Sequence, residues 1–235
     1  MVNKWRILST APLPGRLFDI AVQHFAALDI IPFTKITFVT GIQTQEEIKK
    51  LSAQQLTVVF TSANAVKPVA ACLSGVQPKW DIYCISTVTR EAVEGYFPGA
   101  TIKGTADNAA SLAEVIAKQN EKEVVFFCGD NRLEVLPNHL RNAGVQVKEV
   151  VVYTNEETPQ EINEVYDAIL FFSPSGVRSY FSVNTVYSHT LYFAIGNTTA
   201  EAIKQYSNNK IVTATTPSKE NVLMLALQHL EAEMA

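Results

Sequence analysis

Val59-Phe60-Thr61-Ser62-Ala63-Asn64-Ala65-Val66 recurs as Leu170-Phe171-Phe172-Ser173-Pro174-Ser175-Gly176-Val177. Each copy reads as the end of an apolar strand, a turn of small hydroxyl residues and the start of a helix. The likeness extends in both directions at a shift of about 110 residues, which marks a duplicated unit. Ile85-Ser86-Thr87-Val88-Thr89-Arg90-Glu91-Ala92 returns as Ile195-Gly196-Asn197-Thr198-Thr199-Ala200-Glu201-Ala202, and Thr105 and Leu112 find partners in Thr216 and Leu223. The lead-in repeats as well. Phe38-Val39-Thr40 with Thr44–Ile48 matches Val152-Tyr153-Thr154 with Thr158–Ile162.

The last part of the first copy, Val124 to Val147, has no counterpart after Ala235. Its likeness lies at the other end of the chain, where Arg16-Leu17 with His24 echoes Arg132-Leu133 with His139. The duplication is therefore permuted. One lobe is continuous, about residues 40–150, and the other is assembled from residues 1–34 and 156–235. Residues 35–39 and 151–155 cross between them; both are β-branched and alternating, so they are expected to pair as a two-stranded β-ladder hinge. Seven runs read as strands: Trp5–Ser9, Thr57–Thr61, Asp81–Ile85, Val124–Cys128, Ala168–Phe172, Leu191–Ile195 and Ile211–Ala214. Most are apolar at consecutive positions, as parallel strands covered on both faces should be. Leu17–Leu28, Ala109–Lys118, Glu134–Asn142 and Glu220–Glu231 read as amphipathic helices between them. The expected fold is α/β, with two flavodoxin-like parallel-sheet lobes. A single continuous doubly wound domain is the competing arrangement.

Apolar residues are 47% and charged residues 18% of the chain, ample material for a core. A net charge of −4 with scattered basic residues gives no reason to expect nucleic acid or an anionic membrane. Cys72, Cys84 and Cys128 are odd in number, follow no C-x-x-C spacing, and two of them lie in strand runs. They read as small buried hydrophobes of a reducing compartment. The stretch Met1 to Thr10 is too short and polar for a signal peptide, and no apolar run approaches membrane-spanning length. A cytoplasmic protein is expected.

In open α/β sheets ligands bind beyond the carboxyl ends of the strands, where helix N-termini point. Small hydroxyl and amide residues collect there: Ser9-Thr10, Thr61 to Asn64, Ser86-Thr87, Gly129-Asp130, Ser173 to Gly176, Gly196 to Thr199 and Thr216 to Ser218. Helix capping explains any one of these positions. As a set they offer a ring of free N–H groups and helix dipoles, suited to a large anionic ligand held in a cleft between two lobes. No turn carries a G-x-G-x-x-G or P-loop pattern, so neither a dinucleotide nor a nucleoside triphosphate is indicated. His24, His139, His189 and His229 are dispersed and give no metal-ligand spacing. One asymmetry remains. Tyr153 stands where the matching crossing has Val39, and the sequence leaves open whether the phenol packs or reacts.

The motifs Phe60–Val66, Gly104–Leu112, Phe127–Leu136, Val150–Thr154, Phe172–Val177 and Ala194–Ala200 resemble, in order and spacing along the whole chain, those of the uroporphyrinogen-III synthase family. Ala65, where relatives often carry Gly, and Ser218, where some carry Thr, are mild departures. The resemblance implies a monomeric cytosolic lyase of tetrapyrrole biosynthesis without metal or organic cofactor. Its substrate would be hydroxymethylbilane, a linear chain of four pyrroles bearing eight carboxylates. The family removes the terminal hydroxyl as water, closes the ring and inverts the last pyrrole through a spiro intermediate. Carried over by motif, Thr61, Ser62, Ala63, Asn64, Thr105, Ser173, Ser175, Gly176, Thr198, Thr199 and Ser218 bind substrate, with Gly129 and Arg132 nearby and Tyr153 as the general acid. Arg132 either pairs a carboxylate or is a solvated helix-start residue. A two-lobed cytosolic binding or sensor module for an anionic small molecule is the alternative function.

Overall fold

A computed structural model describes residues 4–85 and 88–232. Ser86 and Thr87, expected among the polar turns, lie outside the described residues. In chain order the elements are β1 (Trp5–Ser9), α1 (Arg16–Gln23), β2 (Ala26–Ile30), β3 (Thr34–Phe38), α2 (Ile42–Ser52), β4 (Leu56–Phe60) and α3 (Ala63–Leu73). They continue with β5 (Trp80–Ile85), α4 (Val88–Tyr96), β6 (Thr101–Ala106), α5 (Ala109–Ala117), β7 (Glu123–Gly129), α6 (Val135–Asn142) and β8 (Gln146–Glu157). The chain ends with β9 (Ala168–Phe171), α7 (Pro174–Phe181), β10 (Leu191–Ala194), α8 (Asn197–Lys204), β11 (Ile211–Thr213) and α9 (Lys219–Ala232).

Two compact units result: unit 1 is Met1–Lys35 with Glu156–Ala235, and unit 2 is Ile36–Asn155. The sheet of unit 1 runs β11-β10-β9-β1-β2. Numbered by that unit's own strands, this is the flavodoxin order 2-1-3-4-5. The second sheet runs β3-β8-β7-β4-β5-β6. Setting β3 aside, it gives the same order once counting starts at β7. The second sheet is thus a circular permutation of the first, as the sequence repeat requires.

Apart from β3 with β8, the strand pairs of both units are parallel, with Ile7 opposite Ala168 and Val58 opposite Val125. Period-2 alternation then sends successive apolar residues to opposite faces. In β4, Val58 and Phe60 enter one core cluster and Val59 the other; in β9, Ala168 and Leu170 part from Ile169 and Phe171 in the same way. Every one of these residues has 2% exposure or less, which is why the runs are apolar without interruption.

The crossing strands β3 and β8 are neighbours, and the Val39 N–H donates to the Val152 carbonyl at 3.0 Å. From Gln146 to Tyr153, β8 is also the parallel partner of β7. Beyond that, the Thr154 hydroxyl meets the Thr37 carbonyl and the Thr158 N–H donates to the Phe33 carbonyl at 2.9 Å, so β3 and β8 run on as a two-stranded ladder. The helix expected over Leu17–Leu28 stops at Gln23. Phe25 turns the chain at φ 56°, and Ala26–Ile30 forms β2 against β1. Ala-Ala-Leu-Asp-Ile fits either periodicity, and pairing with β1 decides it. Pro32 follows; lacking an N–H, it separates β2 from β3. Among the described residues no helix is long and apolar enough to cross a membrane.

Candidate active site

A doubly wound sheet leaves a crevice where neighbouring strands feed helices on opposite faces. In unit 1 that point lies between β1 and β9, and in unit 2 between β7 and β4. The two copies differ. In unit 1, Ser9 and Thr10 are buried, and their hydroxyls donate to the carbonyls of Ala11 and Leu170, both at 2.7 Å. In unit 2 the crevice opens into a pocket of about 390 Å³ lined by Thr61, Ser62, Gly129, Arg132, Tyr153 and the carboxylate of Asp107, with Cys128 and Phe126 beneath. The structure therefore brings five of the expected residues together around one pocket. Sequence reasoning misses Asp107 and Asn108, although both stand in the Gly104–Leu112 motif.

Tyr153 reaches this place through the register of β8. The pairing of β7 and β8 slips by one residue between Cys128 and Gly129, setting Gly129 opposite Tyr153. The ring then lies over the bare Cα of Gly129. A Cβ there would meet Tyr153 Cζ at 2.5 Å, Cε2 at 2.6 Å and the phenol oxygen at 2.8 Å. Only glycine leaves room for this ring. Ser62 lines the same pocket as the phenol. Burial raises the Tyr153 pKa above its ordinary value, Ser62 partly offsets this, and Cys128 and Asp130 add to the rise. The phenol is thus neutral and keeps its proton at physiological pH. Burial likewise pushes the Cys128 thiol up to about 11, which leaves it unreactive.

The remaining unit 2 residues follow from helix capping. Ser62 caps α3, its Oγ accepting the Asn64 N–H at 3.2 Å, so Ala63 and Asn64 form the first turn of that helix. Thr105 lies on β6, two residues before Asp107, and is half-buried. Arg132 is not a free cation. It pairs with Glu149 and, at 3.1 Å, with Glu134, while Arg141 holds the other Glu149 oxygen. Burial alone would raise the Glu149 carboxyl, but the two guanidinium groups outweigh it and hold the pKa below its ordinary value.

In unit 1 the predicted residues occupy three successive helix starts. Ser173 caps α7, accepting the Gly176 N–H at 3.1 Å and meeting Ser175 Oγ at 3.1 Å, with Pro174 in the first turn. Thr198 and Thr199 open α8, the former exposed and the latter buried. Ser218 precedes α9 and accepts the Asn221 N–H at 3.1 Å. A capping hydroxyl uses a lone pair and still has a proton to donate, so capping and anion binding do not compete for these groups. Among the described residues no three His, Cys, Asp or Glu side chains gather to hold a metal ion.

Two permuted flavodoxin-type sheets with hydroxyl-capped helix starts at their carboxyl ends define a two-unit α/β protein of the doubly wound class. The sequence model of uroporphyrinogen-III synthase HemD matches residues 21–223, and the chain belongs to the uroporphyrinogen-III synthase family. It is a cyclising lyase of tetrapyrrole biosynthesis that converts hydroxymethylbilane to uroporphyrinogen III with loss of water. The fold is similar to that of a uroporphyrinogen III synthase mutant from the extreme thermophile Thermus thermophilus, at 14% identity and a TM-score of 0.70, covering 97% of this chain and 99% of that one. It is also similar to uroporphyrinogen-III synthetase from Helicobacter pylori, at 17% identity and a TM-score of 0.69, covering 96% and 99% of the two chains.

Proposed function

We propose that Tyr153 is the general acid of the cyclisation and that the unit 2 pocket receives the pyrrole bearing the hydroxymethyl group. The observation that carries this is a half-buried, neutral phenol set at a switch-point pocket by a register slip and a glycine. The Ser62 hydroxyl accepts from Asn64 and can donate to the phenol oxygen, which leaves the phenol's own proton for the pocket.

In the first step the carbon–oxygen bond of the hydroxymethyl group breaks, and the oxygen keeps the electron pair, takes the Tyr153 proton and leaves as water. The pyrrole nitrogen supplies electrons to the new exocyclic double bond, giving an azafulvenium cation. The substituted α-carbon of the last ring attacks it, and rearrangement through the spiro intermediate inverts that ring. The proton lost when aromaticity returns restores the phenol. Electron-rich pyrroles need little acid–base force, so most of the barrier is met by holding a floppy chain in order, which is worth roughly 7–11 kcal/mol in favourable cases.

The carboxylates are held by hydroxyl and backbone N–H donors. Those of unit 2 come from Thr61, Ser62, Ala63, Asn64, Thr105 and Gly129, and those of unit 1 from Ser173, Ser175, Gly176, Thr198, Thr199 and Ser218. Helix N-termini supply the positive end of the field at each of these turns. Arg132 contributes what its pairing with Glu149 and Glu134 leaves available. On this reading the protein works as a cytoplasmic monomer, in keeping with its free thiols Cys72, Cys84 and Cys128.

Tyr153→Phe tests the assignment, because it keeps the ring and deletes the proton. Turnover of hydroxymethylbilane is expected to fall by about 10²–10⁴-fold, with residual type III product and a near-parental unfolding temperature. Full turnover in this variant makes the phenol a packing group, and loss of activity through unfolding makes its role structural.

A further inference from the structure

We infer that Asp130 is a positioning residue for Tyr153, using its carboxylate to extend the strand ladder where β7 runs out. The inference rests on Tyr153 being the acid. Gly129 is the last residue of β7, and beyond it β8 has no strand partner on that side. Asp130 takes over with two groups. Its N–H donates to the Tyr153 carbonyl at 3.2 Å, and its Oδ1 accepts the Asn155 N–H at 3.0 Å. The same Oδ1 accepts the Asn131 N–H at 2.9 Å, which fixes the side chain in a tight Asx arrangement. The Asn131 Nδ2 completes the bracket by donating to the Asn155 carbonyl at 3.2 Å.

The residue that carries the phenol and the residue two further on are thus tied to one residue, the first by its main-chain N–H and the second by its carboxylate. Asn155 is also the last residue of unit 2. Any pull from the chain beyond it meets the Asp130 bonds before it reaches Tyr153. The register slip at Cys128 and Gly129 makes such a clamp necessary, because a slipped ladder can relax back by one residue and would then turn the ring to the other face.

The test separates acceptor geometry from charge. Asp130→Asn keeps an Oδ1 acceptor in place and removes the charge, whereas Asp130→Glu keeps the charge and moves the oxygens by one methylene. The first is expected to retain most of kcat, and the second to lose about tenfold or more with KM little changed. Asp130→Ala should behave like Asp130→Glu, and hydrogen exchange at the Asn155 amide should quicken in both but not in Asp130→Asn. In a Tyr153→Phe background neither Asp130→Glu nor Asp130→Ala should reduce kcat further, the non-additivity expected of residues acting through one another. Parental kcat in Asp130→Glu, the reverse order of the Asn and Glu variants, or an equal additional loss in the Tyr153→Phe background each overturns the inference. Full turnover in Tyr153→Phe alone overturns the acid assignment, and with it the need for a clamp. That result is read from the single variant, independently of Asp130.

Discussion

Gly129→Ala puts a single methyl group under the ring on which the proposed chemistry depends. The added Cβ would lie 2.5 Å from Tyr153 Cζ, and its next contacts, Cε2 and the phenol oxygen, are at 2.6 Å and 2.8 Å. Ordinary van der Waals contact begins near 3.4 Å, so the ring must retreat by close to 1 Å. The backbone is not the obstacle: among the described residues the glycines at positive φ are Gly75 and Gly144, and alanine suits the conformation at 129. The whole cost therefore falls on the Tyr153 side chain. Misplacing a reacting group by about 1 Å can lower turnover by about 10²-fold, while overpacking of this kind costs about 1–3 kcal/mol of stability. The assay is consumption of hydroxymethylbilane with separation of the type I and type III isomers after oxidation to porphyrins. Type I forms by unassisted closure, so its share should rise as the enzyme slows. In a Tyr153→Ala background, Gly129→Ala should cost little further stability, because no ring remains to displace. Parental turnover in Gly129→Ala, with the protein folded, would refute the claim that catalysis depends on where this ring lies.

Ser62→Ala removes the hydroxyl beside the phenol and should slow turnover severalfold without abolishing it, measured under saturating substrate. Thr61→Ala, Thr105→Ala and Ser218→Ala should each cost less than Tyr153→Phe, since a ligand with many carboxylates shares many donors and the backbone N–H groups survive the change. A raised Tyr153 pKa favours the protonated folded state, so its stabilising contribution is complete below pH 10 and is lost only as pH rises through the folded value. The alkaline limb of the kcat profile should accordingly fall above pH 10 and vanish in Tyr153→Phe. Glu149 has the opposite sign: its lowered pKa gives stability above pH 4.5 that is lost as pH falls through the folded value, and Glu149→Gln should remove that dependence in acid unfolding curves. Arg132→Ala leaves the half-buried Glu149 with Arg141 alone, and should cost about 1–3 kcal/mol of stability while shifting KM little.

The paired strand–turn–helix motifs at Val59–Val66 and Leu170–Val177 were legible because buried parallel strands demand uninterrupted apolar runs and capped helices demand hydroxyls. Two strands were not. β6 (Thr101–Ala106) is an edge strand with Lys103 and Gly104 at its centre, so it lacks the signature of a covered strand. β2 carries a pattern that a helix would also satisfy. At the site, residue types could be named in advance but their pairings could not. Tyr153 faces Gly129 because the ladder slips by one residue, and nothing local in either strand announces a slip. Arg132 reads as either a substrate anchor or a surface residue, since its partner Glu149 becomes a neighbour only when β7 and β8 pair.

The permuted layout has a consequence for how the chain is made. Unit 1 needs β1 to align with β9, Ile7 beside Ala168, and in an unfolded chain that contact must close a very long loop. Emerging from the ribosome, β1, α1 and β2 have only one another until β9, on the other side of β1, appears in the last third of the protein. Unit 2, by contrast, is one uninterrupted stretch and can complete itself during synthesis. Its own folding brings the two ends of the insertion together, with the Val39 N–H on the Val152 carbonyl at 3.0 Å. The closure entropy is then met by unit 2 before unit 1 begins, and a distant pairing becomes a nearly local one. An isolated chain of residues 36–155 is expected to fold cooperatively. Mutations that slow its folding should delay unit 1 as well, although they lie wholly outside it.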